Sequence, residues 1–190
     1  MDWPHPRRWR RQIASAALAL CALPAMAGPK AIPFQATLNF TESVTFTFQP
    51  PCFAMAQLSG TAEATEVGRV SAVSQDCINP LGVFDPATGS YQFASTGPGV
   101  VFTLANGDHV YASYSGTLTY QAGAPHAVNG HFIITGGTGR LAGVTGGGTL
   151  TGLEDISGVV TGRGQVVFDG SLSLAPTCHA RGDRCEPRGR

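Results

Sequence analysis

Apolar and polar side chains change places at almost every residue through most of this chain. Phe34, Ala36, Leu38 and Phe40 share one side of an extended segment, with Gln35, Thr37, Asn39 and Thr41 on the other. Val44, Phe46 and Phe48 alternate with Thr45 and Thr47. The longest runs are Val110 to Tyr120 and Gln165 to Leu174, where Tyr114, Leu118, Tyr120, Phe168 and Leu172 stand in phase. A period of two, rich in Thr, Val and Phe, predicts half-buried β-strands. No window beyond residue 27 carries the 3.6-residue stripe of a helix.

Turn chemistry separates these runs. Asn106-Gly107, inside "ANGD" (105–108), predicts a hairpin between strands near 99–104 and 108–120. "DPATGS" (85–90) and "QAGAPHAVNG" (121–130) read as loops. Short turns make antiparallel neighbours. Seven or eight such strands predict an all-β domain, a closed antiparallel barrel or a sandwich.

One stretch resists the simple pattern: "FIITGGTGRLAGVTGGG" (132–148). A strand over His131–Thr135 followed by glycines resembles a phosphate-binding turn. That chemistry needs a helix after the glycines, whose N-terminus faces the phosphate. The residues that follow are glycine and threonine, and each glycine costs about 1 kcal/mol in a helix. The expectation is therefore a tight reversal over Gly136–Gly139, a packed excursion carrying Leu141 and Val144, and a strand from about Gly147. No nucleotide or other cofactor is expected.

The ends differ from the body. Arg7, Arg8, Arg10 and Arg11 precede a short apolar run, Ile13 to Leu23, and then Ala25-Met26-Ala27. This is the layout of a signal peptide over residues 1–27, cut after Ala27, and it predicts a secreted or periplasmic protein. No later segment is long and apolar enough for a helical membrane span. Residues 28–174 form the expected barrel domain, and 175–190 an irregular tail. Of the 12 Lys and Arg and the 12 Asp and Glu, the leader takes four arginines and Asp2. The remaining body is weakly acidic, with no basic stripe for nucleic acid. Cys52, Cys77, Cys178 and Cys185 remain, an even number in an exported chain, which argues for two disulfides. Three pairings are open; Cys52–Cys77 with Cys178–Cys185 joins neighbours in sequence and is preferred. No closely spaced Cys and His pair supports a metal site.

The glycine-rich stretch also carries a resemblance. "FIITGGTGRLAGVTGGGTLTG", "LSGTAEATEVGRVSAVSQ" (58–75) and "ANGDHVYASYSGTLTY" are similar, in that order, to segments of bacterial secreted proteins with the allene oxide cyclase-like, or dirigent-like, β-barrel. The three segments span about half of the chain after the leader. The resemblance implies a closed barrel of about eight strands. It carries over no catalytic residue, because the plant cyclases' active-site residues have no matching motif here. Leu141 stands where an aromatic is frequent in the family.

Candidate chemistry is sparse. His109, His126, His131 and His179 read as surface or satisfied histidines. Glu63/Glu66 and Glu154/Asp155 read as solvated turns. Arg69 and Arg140 each follow a glycine near a strand end, where they would anchor a loop or face a barrel mouth. A small barrel either fills its interior or keeps room for one ligand. In the second case Phe46, Phe48, Phe102, Tyr114, Tyr120, Phe132 and Phe168 would line it, with Arg140 at the mouth. The leading expectation is a secreted, disulfide-linked barrel that acts as a small binding or structural module; a small guest, if one binds, is an apolar ligand in the barrel mouth. Its rivals are a cofactor-free isomerase or cyclase, and a surface-interaction protein working through Arg181-Gly182-Asp183 in the tail. A buried charged group among aromatics in an open pocket would favour the enzyme.

Overall fold

The computed structural model describes residues 31–65, 67–156 and 158–174, with the backbone of 177–178 and 185–186. The nine main strands are β1 Ala31–Phe46, β2 Ala54–Ala64, β3 Gly68–Pro80, β4 Tyr91–Ser95, β5 Val100–Leu104, β6 His109–Gln121, β7 Ala124–Gly137, β8 Thr145–Asp155 and β9 Thr161–Ser173. Every neighbouring pair is antiparallel. β1 pairs with β2 on one side and β9 on the other, so the sheet closes on itself. β4 and β5 together fill one place between β3 and β6: β4 pairs along Asp76–Pro80 and β5 along Val70–Val73. The result is a closed eight-stave antiparallel barrel with one stave split in two.

The alternation sets the interior. Phe34, Ala36, Leu38 and Phe40 of β1, Val110, Ala112 and Tyr114 of β6, and Val166, Phe168 and Leu172 of β9 are all buried. Phe168 is the hub: Phe102, Tyr114 and Phe132 meet its ring edge-on, with centroids at 5.5, 6.4 and 5.3 Å. Such contacts add to the burial of large apolar area that holds the core together. Glycines on neighbouring strands make room for these rings. A Cβ at Gly164 would sit 2.7 Å from the Phe40 ring.

Several expectations change in detail. The alternating runs 34–41 and 44–48 belong largely to one strand, β1. Residues 124–130, expected as loop, are the first half of β7, and the turn shrinks to Ala122 and Gly123, whose φ is +73°. The Asn-Gly hairpin lies where expected, between β5 and β6. In the glycine-rich stretch β7 continues to Gly137, a 3-10 turn spans Gly139–Leu141, and β8 starts at Thr145. β8 returns antiparallel to β7. The stretch is a corner between antiparallel strands, and no helix follows it to receive a phosphate.

Cys52 and Cys77 are disulfide-bonded and tie the segment after β1 to β3. Asn79 reinforces the tie by accepting from the Phe53 N–H through Oδ1 at 3.0 Å. In the tail, β10 (Thr177–Cys178) pairs with β11 (Cys185–Glu186), setting Cys178 opposite Cys185 along the backbone. The leader, the cysteine side chains of the tail and Arg181-Gly182-Asp183 lie outside the described residues. Among the described residues no helix is long and apolar enough to cross a membrane.

The 25-residue separation of Cys52 and Cys77 predicts the effect of opening that bond. The Cys52→Ala/Cys77→Ala double variant should lose about 3.5 kcal/mol of unfolding free energy by chain entropy alone, measured by urea denaturation.

Candidate functional site

The interior divides along the barrel axis, and β1 shows the order. Phe34 and Ala36 line a small hollow at one end, Leu38, Phe40 and Glu42 line the middle, and Val44 and Phe46 reach the other end. The first hollow measures about 20 Å³ and has only apolar walls. Leu141 and Val144, from the glycine-rich corner, fold across it, and Val144 is 0% exposed. This end is plugged.

The middle holds a cavity of about 50 Å³. At roughly 10–15 Å³ per water, that is room for a few waters or a small head group. Its apolar walls include Leu38, Phe40, Phe93, Leu118, Val128 and Phe168. Glu42, Asp76 and Glu154 enter it from β1, β3 and β8. A second space of about 50 Å³ shares Glu42, Ile78, Tyr91 and Leu118 with it and leads to Phe46, Phe53 and Val159 at the rim. Phe84, in the segment before β4, packs on Phe46, Phe48 and Phe53 at 5.4, 6.2 and 4.7 Å. Two larger hollows, of about 520 and 470 Å³, are open grooves on the outer wall. Neither gathers a cluster of acids.

The three carboxyl groups are held differently. Asp76 is 5% exposed. Its Oδ1 accepts from the Tyr114 hydroxyl at 2.5 Å and from the Ser74 hydroxyl at 2.9 Å. Burial raises the Asp76 pKa, and these two donors oppose the rise by favouring the charged form. Burial, with Asp76 beside it, lifts the Tyr114 phenol well above its ordinary range, so it stays a donor. Glu154 is 8% exposed, its Oε1 is buried without a hydrogen-bond partner, and the acid Glu42 is its neighbour. Two carboxylates have no donor between them; a retained proton turns their contact into a hydrogen bond. Burial, then the charge of Glu42, raises Glu154 well above its ordinary value, and burial likewise raises Glu42. The two therefore titrate as a pair, with the doubly charged form disfavoured. Gly162 makes the pairing sterically feasible: a Cβ there would lie 2.6 Å from Glu154 Oε1 and 2.9 Å from Glu42 Oε1. No lysine or arginine lines the chamber. Arg163 points outward to Asp155 at 3.3 Å.

The sequence-predicted residues are distributed through the barrel. Tyr114 and Phe168 line the acid chamber, and Phe46 lines the rim space. Phe102 lines the plugged end, and Phe132 is buried between Phe34 and Phe168. Phe48 is 63% exposed and stacks on Phe46, while Tyr120 is 37% exposed and packs edge-on against His126. Arg140 lies at the plugged end, where its backbone N–H donates to Asp108 and its guanidinium stands 3.9 Å from the same carboxylate. Two readings need correction. Glu154 is no solvated turn residue but an inward-facing residue of β8. His126, expected in a loop, lies instead in β7; it is a satisfied histidine, buried with Nε2 3.1 Å from the Gly89 carbonyl. Glu42, Asp76 and Ser74 escaped notice, although all stand in phase with the apolar face of their strands.

Comparison with protein-family models finds no match for this chain, and comparison with curated proteins finds none either. Among the described residues no group of His, Cys, Asp and Glu has metal-binding geometry.

Because the carboxyl pKa values are raised, the folded state holds protons that the unfolded chain gives up. Stability is then undiminished below the ordinary carboxyl range and is lost as pH rises through the raised folded values. Thermal melts should show a higher midpoint near pH 5 than near pH 8. Glu154→Gln, whose amide can donate to Glu42, should raise the midpoint near pH 8 by about 3 °C for each kcal/mol of relieved cost, and change it little near pH 4.

Proposed function

We propose that this protein is an exported binding module that takes a small, largely apolar molecule into the open end of its barrel. The observation that carries this reading is the pair of joined spaces between the Phe46–Phe53 rim and the acid-lined middle. Apolar walls supply the driving force for burial, and a few converging polar groups orient the guest. The leader-like first 27 residues and the Cys52–Cys77 bond support an exported location. The closed antiparallel barrel is compatible with the allene oxide cyclase-like group that the glycine-rich stretch resembles.

A second reading, a cofactor-free isomerase or cyclase, is favoured by one observation. Burial raises Glu42 and Glu154 inside an apolar chamber, which favours a protonated acid there, and Asp76 sits beside them held by the Tyr114 and Ser74 hydroxyls. Acid and base in one dry space can move a proton across a substrate.

Calorimetric titration with hexan-1-ol tests the binding reading. Wild type should bind it, and Leu118→Trp, which fills the passage shared by both spaces, should weaken binding at least about tenfold with an unchanged circular dichroism spectrum. Equal binding by both proteins contradicts the reading. Incubation with an apolar epoxide separates the two classes: turnover that Asp76→Asn abolishes supports the enzyme, and binding without turnover supports the module.

A further inference from the structure

The chamber gathers three carboxyl groups from three strands and no cation. Glu154 is more than nine-tenths buried, lines the cavity and leaves Oε1 without a hydrogen-bond partner. Asp76 already has both its donors, Tyr114 and Ser74, on one oxygen, Oδ1. Uncompensated negative charge in a low-dielectric space is costly, and a positive guest relieves that cost directly. An alkylammonium group offers three N–H donors on a compact head, one for each carboxyl group. Phe40, Phe93 and Phe168 line the same wall, and aromatic rings attract a cation that meets their faces. The head fits the 50 Å³ middle space, and an alkyl chain fits the rim space that opens from it.

We propose that the chamber takes the protonated head of a small aliphatic amine among Glu42, Asp76 and Glu154, with the alkyl chain lying toward Phe46 and Phe53. This rests on the binding reading above and names its ligand class. The raised titration of the glutamate pair adds an exchange that balances: an ammonium ion enters, one proton leaves to solvent, and both glutamates become carboxylates.

Affinity should therefore rise with pH while the amine stays protonated. The groups that face the pair are Asp76 from β3, Tyr91 from β4 and Tyr114 from β6. On β7, His126 stands opposite Glu154 in register but turns Nε2 to Gly89. On β9, the residues opposite Glu42 and Glu154 are Gly162 and Gly164. No basic side chain inside the chamber competes for the acids.

The test is isothermal titration of the full chain with hexylammonium, hexan-1-ol and hexanoate between about pH 6 and 8, where an alkylamine is protonated. Buffers of different ionisation enthalpy report protons released. Hexylammonium should bind at least about tenfold more tightly than hexan-1-ol, release close to one proton, and tighten as pH rises. Hexanoate should not bind. Glu154→Gln and Glu42→Gln, each checked for folding by thermal melt, should each weaken hexylammonium binding about tenfold and abolish the proton release. Hexan-1-ol binding as tightly as hexylammonium overturns this proposal and leaves the binding reading standing. Failure of both ligands overturns both. Hexylammonium binding that neither glutamine variant weakens overturns the proposal too, because the cation then sits elsewhere.

Discussion

Closure of the sheet leaves each side chain only two destinations, the lumen or the outer wall. The inward side is set by a two-residue period that keeps its phase around the barrel. Even-numbered residues face inward on β1, β2, β3 and β5 through β9, from Phe34 to Leu172. Only β4, entered through the 81–90 segment, switches to Tyr91 and Phe93. A polar residue placed in phase cannot turn away, because a one-residue slip would expose the whole apolar face of its strand. Glu42, Asp76 and Glu154 stand in phase, so the fold carries them into an apolar interior. Tyr114 and Ser74 offset the burial of Asp76 by donating to it, and burial of the two glutamates raises their pKa and disfavours their double charge.

The two ends of the barrel divide the labour. Tight corners at the glycine-rich stretch bring Leu141 and Val144 over one end and close it with apolar contacts. Gly139, with φ +54°, stands so close to Asp108 that a Cβ would overlap its carboxylate. Asp108 in turn receives the Arg140 N–H. At the other end the disulfide and Asn79 hold the segment after β1 against β3, and Tyr91 donates its hydroxyl proton to the Asp85 carbonyl. Phe46, Phe53 and Phe84 thereby form a rim instead of a second plug. One end is closed by apolar packing, and the other holds the acid-lined spaces.

The fold was legible because alternation, turn residues and the absence of a helical stripe all pointed to antiparallel strands. The hairpin at Asn106-Gly107 and the corner after His131 could be read from residue types alone. Residues 121–130 read as loop because they hold two Gly, a Pro and an Asn, yet β6 and β8 impose extended backbone on most of the segment. The site was much harder to read. Aromatic content drew attention to Phe48 and Tyr120, which lie at the surface, since composition does not say where along the axis a residue falls. The available signal was phase: Glu42 continues Leu38 and Phe40, Asp76 continues Val70 and Ala72, and Glu154 continues Leu150 and Gly152. What no single strand could show is that closure brings these three acids to the same height.

The raised titration of the buried Glu42–Glu154 pair is the central expectation at the site, and the carboxyl carbons report it directly. A pH titration of the glutamate and aspartate side-chain carboxyl ¹³C shifts by nuclear magnetic resonance, assigned with Glu154→Gln and Glu42→Gln, measures it. Glu154 should titrate well above the ordinary glutamate value of 4.5 and be coupled to Glu42. Independent titration of both residues near that ordinary value would contradict a raised, coupled pair in the chamber.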